Sequence, residues 1–121
     1  MDDILKLMIV DDEPINVLLL EEIAKEMGHT PISFLKPKEA LEWANENSVD
    51  LILVDFNMPG MNGLDLLKEI KLFHPDIMSI MITANIDNGL KLEALKMGVN
   101  DFLTKPLSTA EFQLRLQNII H

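Results

Sequence analysis

Apolar residues along this chain alternate between short runs and helical repeats. Short runs typical of buried strands lie at residues 5–10, 29–34, 51–54, 78–82 and 101–103. Helical repeats lie at residues 14–27, 37–46, 64–73 and 88–97, and a last one runs from residue 108 to the end of the chain. Strand and helix therefore alternate five times, which predicts one α/β domain with a parallel sheet covered by helices on both faces.

The first helical repeat predicts which side of its helix faces the core. Four apolar residues follow the spacing of one helix face: Ile15, Leu18, Leu19 and Ile23. Pro14 suits the first turn of this helix, and Gly28 suits its end. Ser108 stands three residues before Glu111, which predicts a capping box at the start of the last helix.

Polar side chains follow the apolar runs, at the edge where the carboxyl ends of parallel strands meet. Asp11, Asp12 and Glu13 follow the first run, Asp55 and Asn57 the third, Thr83 the fourth and Lys105 the fifth. Ligands of open parallel sheets bind at this edge. Three aspartates stay ionised together only beside a cation, which predicts a hard divalent ion, Mg²⁺. Asp12 and Asp55 would bind it directly, Asp11 would act through water, and a backbone carbonyl near Asn57 would contribute.

The remaining groups at this edge suit an anion. Lys105 offers a point charge and Thr83 a hydroxyl donor, and together with the metal they would surround the oxygens of a transferring phosphoryl group. Asp55 would be the nucleophile, as carboxylates are in aspartyl-phosphate chemistry. An aspartate after a strand is by itself most often a turn residue. Only the combination from four strands favours catalysis.

The composition excludes several other classes of protein. The 121 residues carry a formal charge of −10, which opposes direct nucleic-acid binding by this segment. No apolar run approaches the roughly 20 residues that span a bilayer, and the first three residues are acidic rather than basic as in a secretory signal. Cysteine is absent, so disulfides and thiolate metal sites are excluded. We therefore expect a cytoplasmic protein without a membrane segment.

Four segments make the chain resemble, over essentially its whole length, the receiver domain of two-component response regulators, the family that includes the bacterial chemotaxis regulator. They are MIVDDEP (8–14), LILVDFNMPGMNG (51–63), IMITA (80–84) and GVNDFLTKP (98–106). The resemblance implies a flavodoxin-like, doubly wound, five-stranded parallel sheet with strand order 2-1-3-4-5 and five helices. It implies a single receiver domain over residues 1–121, either standing alone or cut from a longer response regulator.

The resemblance also implies the chemistry of the site. A histidine kinase or phosphotransfer protein would phosphorylate Asp55, with Mg²⁺ held by Asp12, Asp55 and the Asn57 carbonyl and with Asp11 acting through water. Lys105 would be the active-site lysine, joined to Pro106 by a cis peptide bond. The protein would be a signalling receiver rather than an enzyme, promoting only its own phosphorylation and dephosphorylation.

Thr83 and Phe102 resemble the switch pair of receivers. The hydroxyl would move to the phosphoryl group, the ring would turn inward, and the face built from the fourth helix, fifth strand and fifth helix would change. The resemblance also implies a phosphorylation-dependent dimer of this chain through that face. Phe102 stands where tyrosine is common, so its ring lacks the hydroxyl that could form a hydrogen bond from an outward position. A downstream effector domain or partner would receive the signal.

Alternative functions stay open at this point. A haloacid dehalogenase-type, Mg²⁺-dependent phosphohydrolase also uses a strand-end aspartate, but it places a second aspartate where this chain has Asn57. A flavin module of the same fold would need a phosphate-binding loop after the first strand, where this chain is acidic. A receiver-like interaction module without phosphorylation is a third alternative. Parts of the sequence resemble receivers joined to hybrid kinases or to HD-GYP cyclic-di-GMP phosphodiesterases.

Overall fold

The computed structural model describes residues 4–85 and 87–120; the acidic first three residues and the last residue of the predicted fifth helix lie outside this part. The strands are β1 (Lys6–Val10), β2 (Thr30–Phe34), β3 (Leu51–Asp55), β4 (Met78–Thr83) and β5 (Asp101–Thr104). The helices are α1 (Pro14–Glu26), α2 (Pro37–Glu46), α3 (Gly63–Phe73), α4 (Asn88–Lys96) and α5 (Thr109–Ile120). Strand and helix alternate as the hydrophobic pattern predicted.

The five strands form one parallel sheet in the order β2-β1-β3-β4-β5. One hydrophobic cluster packs α2, α3 and α4 against one face, and a second packs α1 and α5 against the other. Every residue of β3 is buried, since this strand is central and covered on both faces. The predicted flavodoxin-like, doubly wound fold is confirmed.

The prediction for the core-facing side of α1 was largely wrong. Ile15 is 74% exposed and Leu18 is 66% exposed, and of the four residues predicted to face the core only Ile23 is buried. The buried side of α1 consists of Val17, Leu20, Ile23 and Ala24. The helix carries two apolar stripes, and periodicity alone cannot show which of them the sheet covers. The other stripe is left exposed beside the carboxyl edge of the sheet.

Side-chain caps fix where several helices begin. The Asn62 side chain accepts a hydrogen bond from the Asp65 N–H at 2.8 Å at the start of α3. At α5, Ser108 Oγ accepts a hydrogen bond from the Glu111 N–H at 3.3 Å, which is one of the two hydrogen bonds of the predicted capping box. Among the described residues, no helix is long and apolar enough to cross a membrane.

Candidate functional site

Asp55 is the last residue of the central strand, and its side chain is fully buried. The chain turns away after it and returns at Gly63, whose N–H donates to the Phe56 carbonyl oxygen at 2.9 Å. A Cβ atom at Gly63 would collide with the carbonyl oxygen of Asp55. Glycine therefore allows α3 to begin directly against the backbone that carries Asp55. The sequence alone gives no sign of this role, because a glycine beside a turn is common in any loop.

Four carboxylates converge at this edge of the sheet. Asp11 follows β1, which pairs with β3 so that Val10 lies beside Val54, and Asp11 and Asp55 come next on adjacent strands. Ligand oxygens of Asp11, Asp12, Glu13 and Asp55 all lie within 4.8 Å of one another. Asp11 is buried, whereas Asp12 and Glu13 are exposed. The three aspartates that the sequence analysis singled out are thus brought together, with Glu13 as a fourth acid.

Two hydrogen bonds orient the buried Asp11. The Glu13 N–H donates to Asp11 Oδ1 at 2.9 Å, and Asn16 Nδ2 donates to Asp11 Oδ2 at 3.3 Å. Asn16 lies in the first turn of α1, so the start of this helix fixes the orientation of the carboxylate. Sequence reasoning missed Asn16, since a polar residue near the start of a helix gives no sign of which side chain it contacts.

Lys105 reaches this cluster from the loop after β5. Its Nζ donates to Asp55 Oδ2 at 3.0 Å and to Glu13 Oε1 at 3.2 Å. The Lys105 side chain is 19% exposed, so the ion pair with Asp55 is shielded from solvent. The peptide bond between Lys105 and Pro106 is cis, as the resemblance implied. The contact with Glu13 was not foreseen.

Burial shifts the protonation of these groups. It raises the pKa of Asp55 from 3.8 to about 6, aided by the nearby charge of Asp11 and opposed by the hydrogen bond from Lys105. Burial likewise raises the pKa of Asp11. Burial by itself would lower the pKa of Lys105, but hydrogen bonds to Asp55 and Glu13 and the charge of Asp11 outweigh it, so this pKa is raised. The site thus holds more negative charge than its one lysine offsets.

The chemistry of these donors fits a divalent cation. Carboxylate oxygens are the ligands that Mg²⁺ prefers, and a cation would offset the repulsion that disfavours ionised Asp11 and Asp55. The Asn57 N–H donates to Asp55 Oδ1 at 3.2 Å, which holds the loop after β3 close to the same carboxylate. The residues present therefore match a magnesium site.

Thr83 lies on β4 and Phe102 on β5, the two strands that follow β3 in the sheet. Thr83 ends β4 and is buried; its Oγ1 donates to the Asn85 carbonyl at 3.2 Å and accepts from the Asn85 N–H at 3.3 Å. The hydroxyl is thus engaged with its own loop. Phe102 lies beside Met81 in the sheet, is half-buried and packs against the cluster under α4.

Comparison with known proteins decides the family. The family model of the response regulator receiver domain matches residues 7–117. This chain belongs to that family. It is therefore a receiver domain of a two-component system, and receiver domains are typical of signalling regulators rather than of an enzyme family.

Relatives with known names agree with this assignment. The cyclic di-GMP phosphodiesterase response regulator RpfG of Xanthomonas campestris is 37% identical over 122 residues, which cover 96% of this chain and 32% of that protein. The response regulator SaeR of Staphylococcus aureus is 33% identical, and the match covers 94% of this chain and 50% of that protein. The chain thus spans a third to a half of these relatives.

Solved structures agree on the fold. The receiver domain of the Francisella response regulator 1452 is 32% identical with a TM-score of 0.84, and the match covers 96% of this chain and 95% of that one. The chemotaxis protein CheY4 of Vibrio cholerae has a TM-score of 0.90 at 24% identity, with 97% of this chain and 99% of that one covered. The second likeness shows the fold alone.

Proposed function

We propose that Asp55 accepts a phosphoryl group from the phosphohistidine of a histidine kinase or phosphotransfer protein, or from a small phosphodonor. The observation that carries this proposal is the buried Asp55 carboxylate, which accepts a hydrogen bond from Lys105 Nζ at 3.0 Å and has three further carboxylates close by. A phosphoryl group bound there would meet a fixed ammonium in a partly dry site, where electrostatic stabilisation is strong.

Mg²⁺ would be held by Asp12, Asp55 and the Asn57 carbonyl, with Asp11 acting through a bound water. When bound, the metal supplies positive charge to the phosphoryl oxygens and allows the crowded carboxylates to stay ionised. Asn16 and the Glu13 N–H keep Asp11 turned toward the site. The orientation of the Asp11 carboxylate is therefore set by the chain itself and does not depend on a bound metal.

The transfer step needs an ionised Asp55. One of its oxygens forms a bond to phosphorus, and the bond from phosphorus to the donor's leaving atom breaks, leaving the electron pair on the donor. Lys105 passes from the Asp55 oxygen to an oxygen of the phosphoryl group, so its charge stays in the site throughout. Buried surroundings keep competing water away from the acceptor.

Phosphorylation is proposed to switch the surface built from α4, β5 and α5. It adds roughly 1.5 to 2 negative charges at the end of β3, within reach of the neighbouring strand ends. The Thr83 hydroxyl would leave Asn85 and donate to the phosphoryl group, and Phe102 would turn inward behind it. If Thr83→Ala and Phe102→Ala both respond to phosphorylation as wild type does, this coupling is wrong.

Exposed apolar residues supply surfaces for the proposed partners. On α1 the stripe of Ile15, Leu18 and Leu19 begins two residues after Glu13, where a kinase that presents its phosphohistidine to Asp55 would cover it. Leu92 and Leu95 on α4 are also exposed and would serve a phosphorylation-dependent dimer through the α4-β5-α5 surface. A downstream effector domain or partner protein in the cytoplasm would respond to the switch. This acidic segment would not itself bind nucleic acid.

Intact mass spectrometry tests the proposal. The chain is incubated with acetyl phosphate and Mg²⁺, and one phosphoryl adduct is expected on wild type and none on Asp55→Asn. Chelating the metal should abolish the adduct. An Asp76→Asn variant is a matched control, since it makes the same change in an exposed turn. A wild type that stays unmodified would instead favour a receiver-like interaction module without phosphorylation.

A further inference from the structure

The side chain of Glu13 lies at the solvent-facing side of the site and has no part in the transfer described above. Its Oε1 accepts a hydrogen bond from Lys105 Nζ at 3.2 Å, while Asp55 Oδ2 accepts one from the same ammonium at 3.0 Å. The Asp55 side chain is fully buried, whereas that of Glu13 is 55% exposed. Lys105 is therefore held between a carboxylate inside the site and one that faces solvent.

The ion pair between Lys105 and Glu13 contributes little to the stability of the fold. Solvent screens an exposed pair, so it adds little to the free energy of folding. The position of the charge matters more. With a divalent cation bound, its charge and that of Lys105 would offset the three aspartates, and the Glu13 carboxylate would then be the surplus negative charge. It stands on the solvent side of the lysine, where a phosphodonor has to approach.

We propose that Glu13 is a positioning and donor-selecting residue of this site, which rests on the proposed function of Asp55. Its carboxylate holds Lys105 on the Asp55 oxygen and disfavours donors that arrive as dianions. Donors that carry one net negative charge, because their leaving group is protonated, are preferred. A phosphohistidine with a protonated imidazole is a donor of this kind, whereas acetyl phosphate arrives as a dianion.

Two small donors separate these cases. With acetyl phosphate, an Asp55 oxygen bonds to phosphorus, the phosphorus–oxygen bond breaks, and acetate leaves with the electron pair. With phosphoramidate, whose nitrogen is protonated at neutral pH, the phosphorus–nitrogen bond breaks and ammonia leaves with the electron pair. The acceptor chemistry is the same for both donors, so a change in the ratio of their rates when the Glu13 charge is removed reports on the charge of the donor.

The expected size of the effect follows from Coulomb's law. A dianionic donor brings one extra negative charge to within roughly 6 to 8 Å of the Glu13 carboxylate. The resulting repulsion should slow the reaction about three- to tenfold at low salt. Screening shortens the range of this repulsion to about 8 Å at physiological salt and further above it. The selectivity should therefore weaken as salt is added.

The test compares rates of adduct formation by intact mass for acetyl phosphate and phosphoramidate, with Mg²⁺, at low and high salt. Glu13→Gln removes the charge, Glu13→Asp keeps it, and Glu22→Gln makes the same amide change on the exposed side of α1. We expect Glu13→Gln to raise the acetyl phosphate rate relative to the phosphoramidate rate about three- to tenfold at low salt, and less at high salt. Glu13→Asp and Glu22→Gln should keep the wild-type ratio.

An unchanged ratio in Glu13→Gln, or equal changes with both donors, overturns the inference, because a merely structural or metal-binding role would affect both donors alike. A change in ratio that does not depend on salt overturns it as well. These outcomes leave the role of Asp55 intact. Absence of an adduct on wild type with both donors, or an adduct that survives in Asp55→Asn, overturns the proposed function and this inference with it.

Discussion

Asp55→Asn should stabilise the metal-free protein at neutral pH, although it removes the group proposed to carry the chemistry. Burial raises the pKa of Asp55 from 3.8 to about 6. Between these values the folded protein holds a proton that the unfolded chain has released, so stability falls as pH rises through this range. The shift corresponds to about 3 kcal/mol, lost in full once the pH is above both values. Asparagine avoids this loss because it stays neutral.

The assay is urea unfolding of wild type and Asp55→Asn with a chelator present. At about pH 7.5 the variant should be more stable by up to about 3 kcal/mol, and the difference should shrink toward zero as the pH approaches about 4. Saturating Mg²⁺ should stabilise wild type more than the variant, since binding to the folded state alone adds to its stability. Asp76→Asn, in an exposed turn, should show neither effect.

Equal stability of wild type and Asp55→Asn at about pH 7.5 without metal, or a less stable variant, would refute this reasoning. It would mean that the ion pair with Lys105 outweighs the burial of the carboxylate. A difference that stays constant from about pH 4 to 7.5 would also refute it, because the cause would then be packing and not ionisation.

Three further substitutions test other parts of the site. Asp12→Asn should weaken Mg²⁺ binding about tenfold or more, measured by titration calorimetry, while a far-ultraviolet spectrum stays unchanged. Lys105→Gln should slow adduct formation from acetyl phosphate about a hundredfold, since a fixed charge on the phosphoryl oxygens is lost. Gly63→Ala should lower the free energy of unfolding by about 1–3 kcal/mol in urea, because the new Cβ collides with the Asp55 carbonyl, although alanine is the better helix former.

The strands and helices could be predicted from the sequence because each apolar run is short and bounded by turn residues. The strand β3 has no polar residue before Asp55, so both its burial and the position of the carboxylate at its end follow from the pattern. The sheet edge then brings together groups far apart in the chain, such as Asp55 and Lys105. Topology alone predicts such a meeting.

Contacts that depend on side-chain direction could not be predicted. The helix α1 has apolar residues on two sides, and only packing against the sheet decides that Val17 and Leu20 are buried while Ile15 is exposed. Glu13 stands in an acidic run where any member could face Lys105. The need for Gly63 becomes visible only when α3 is seen against the Asp55 backbone. Spacing in the sequence contains none of this information.

Chemical mapping of the phosphoryl group tests most directly whether Asp55 is the acceptor. The phosphorylated chain is reduced with borohydride, which converts an aspartyl phosphate to homoserine, and its peptides are sequenced by mass spectrometry. Homoserine is expected at position 55 and only when Mg²⁺ was present during phosphorylation. Reduction at Asp12 or Glu13 instead, or no reduced residue in a chain that carries the phosphoryl mass, would contradict the proposed function.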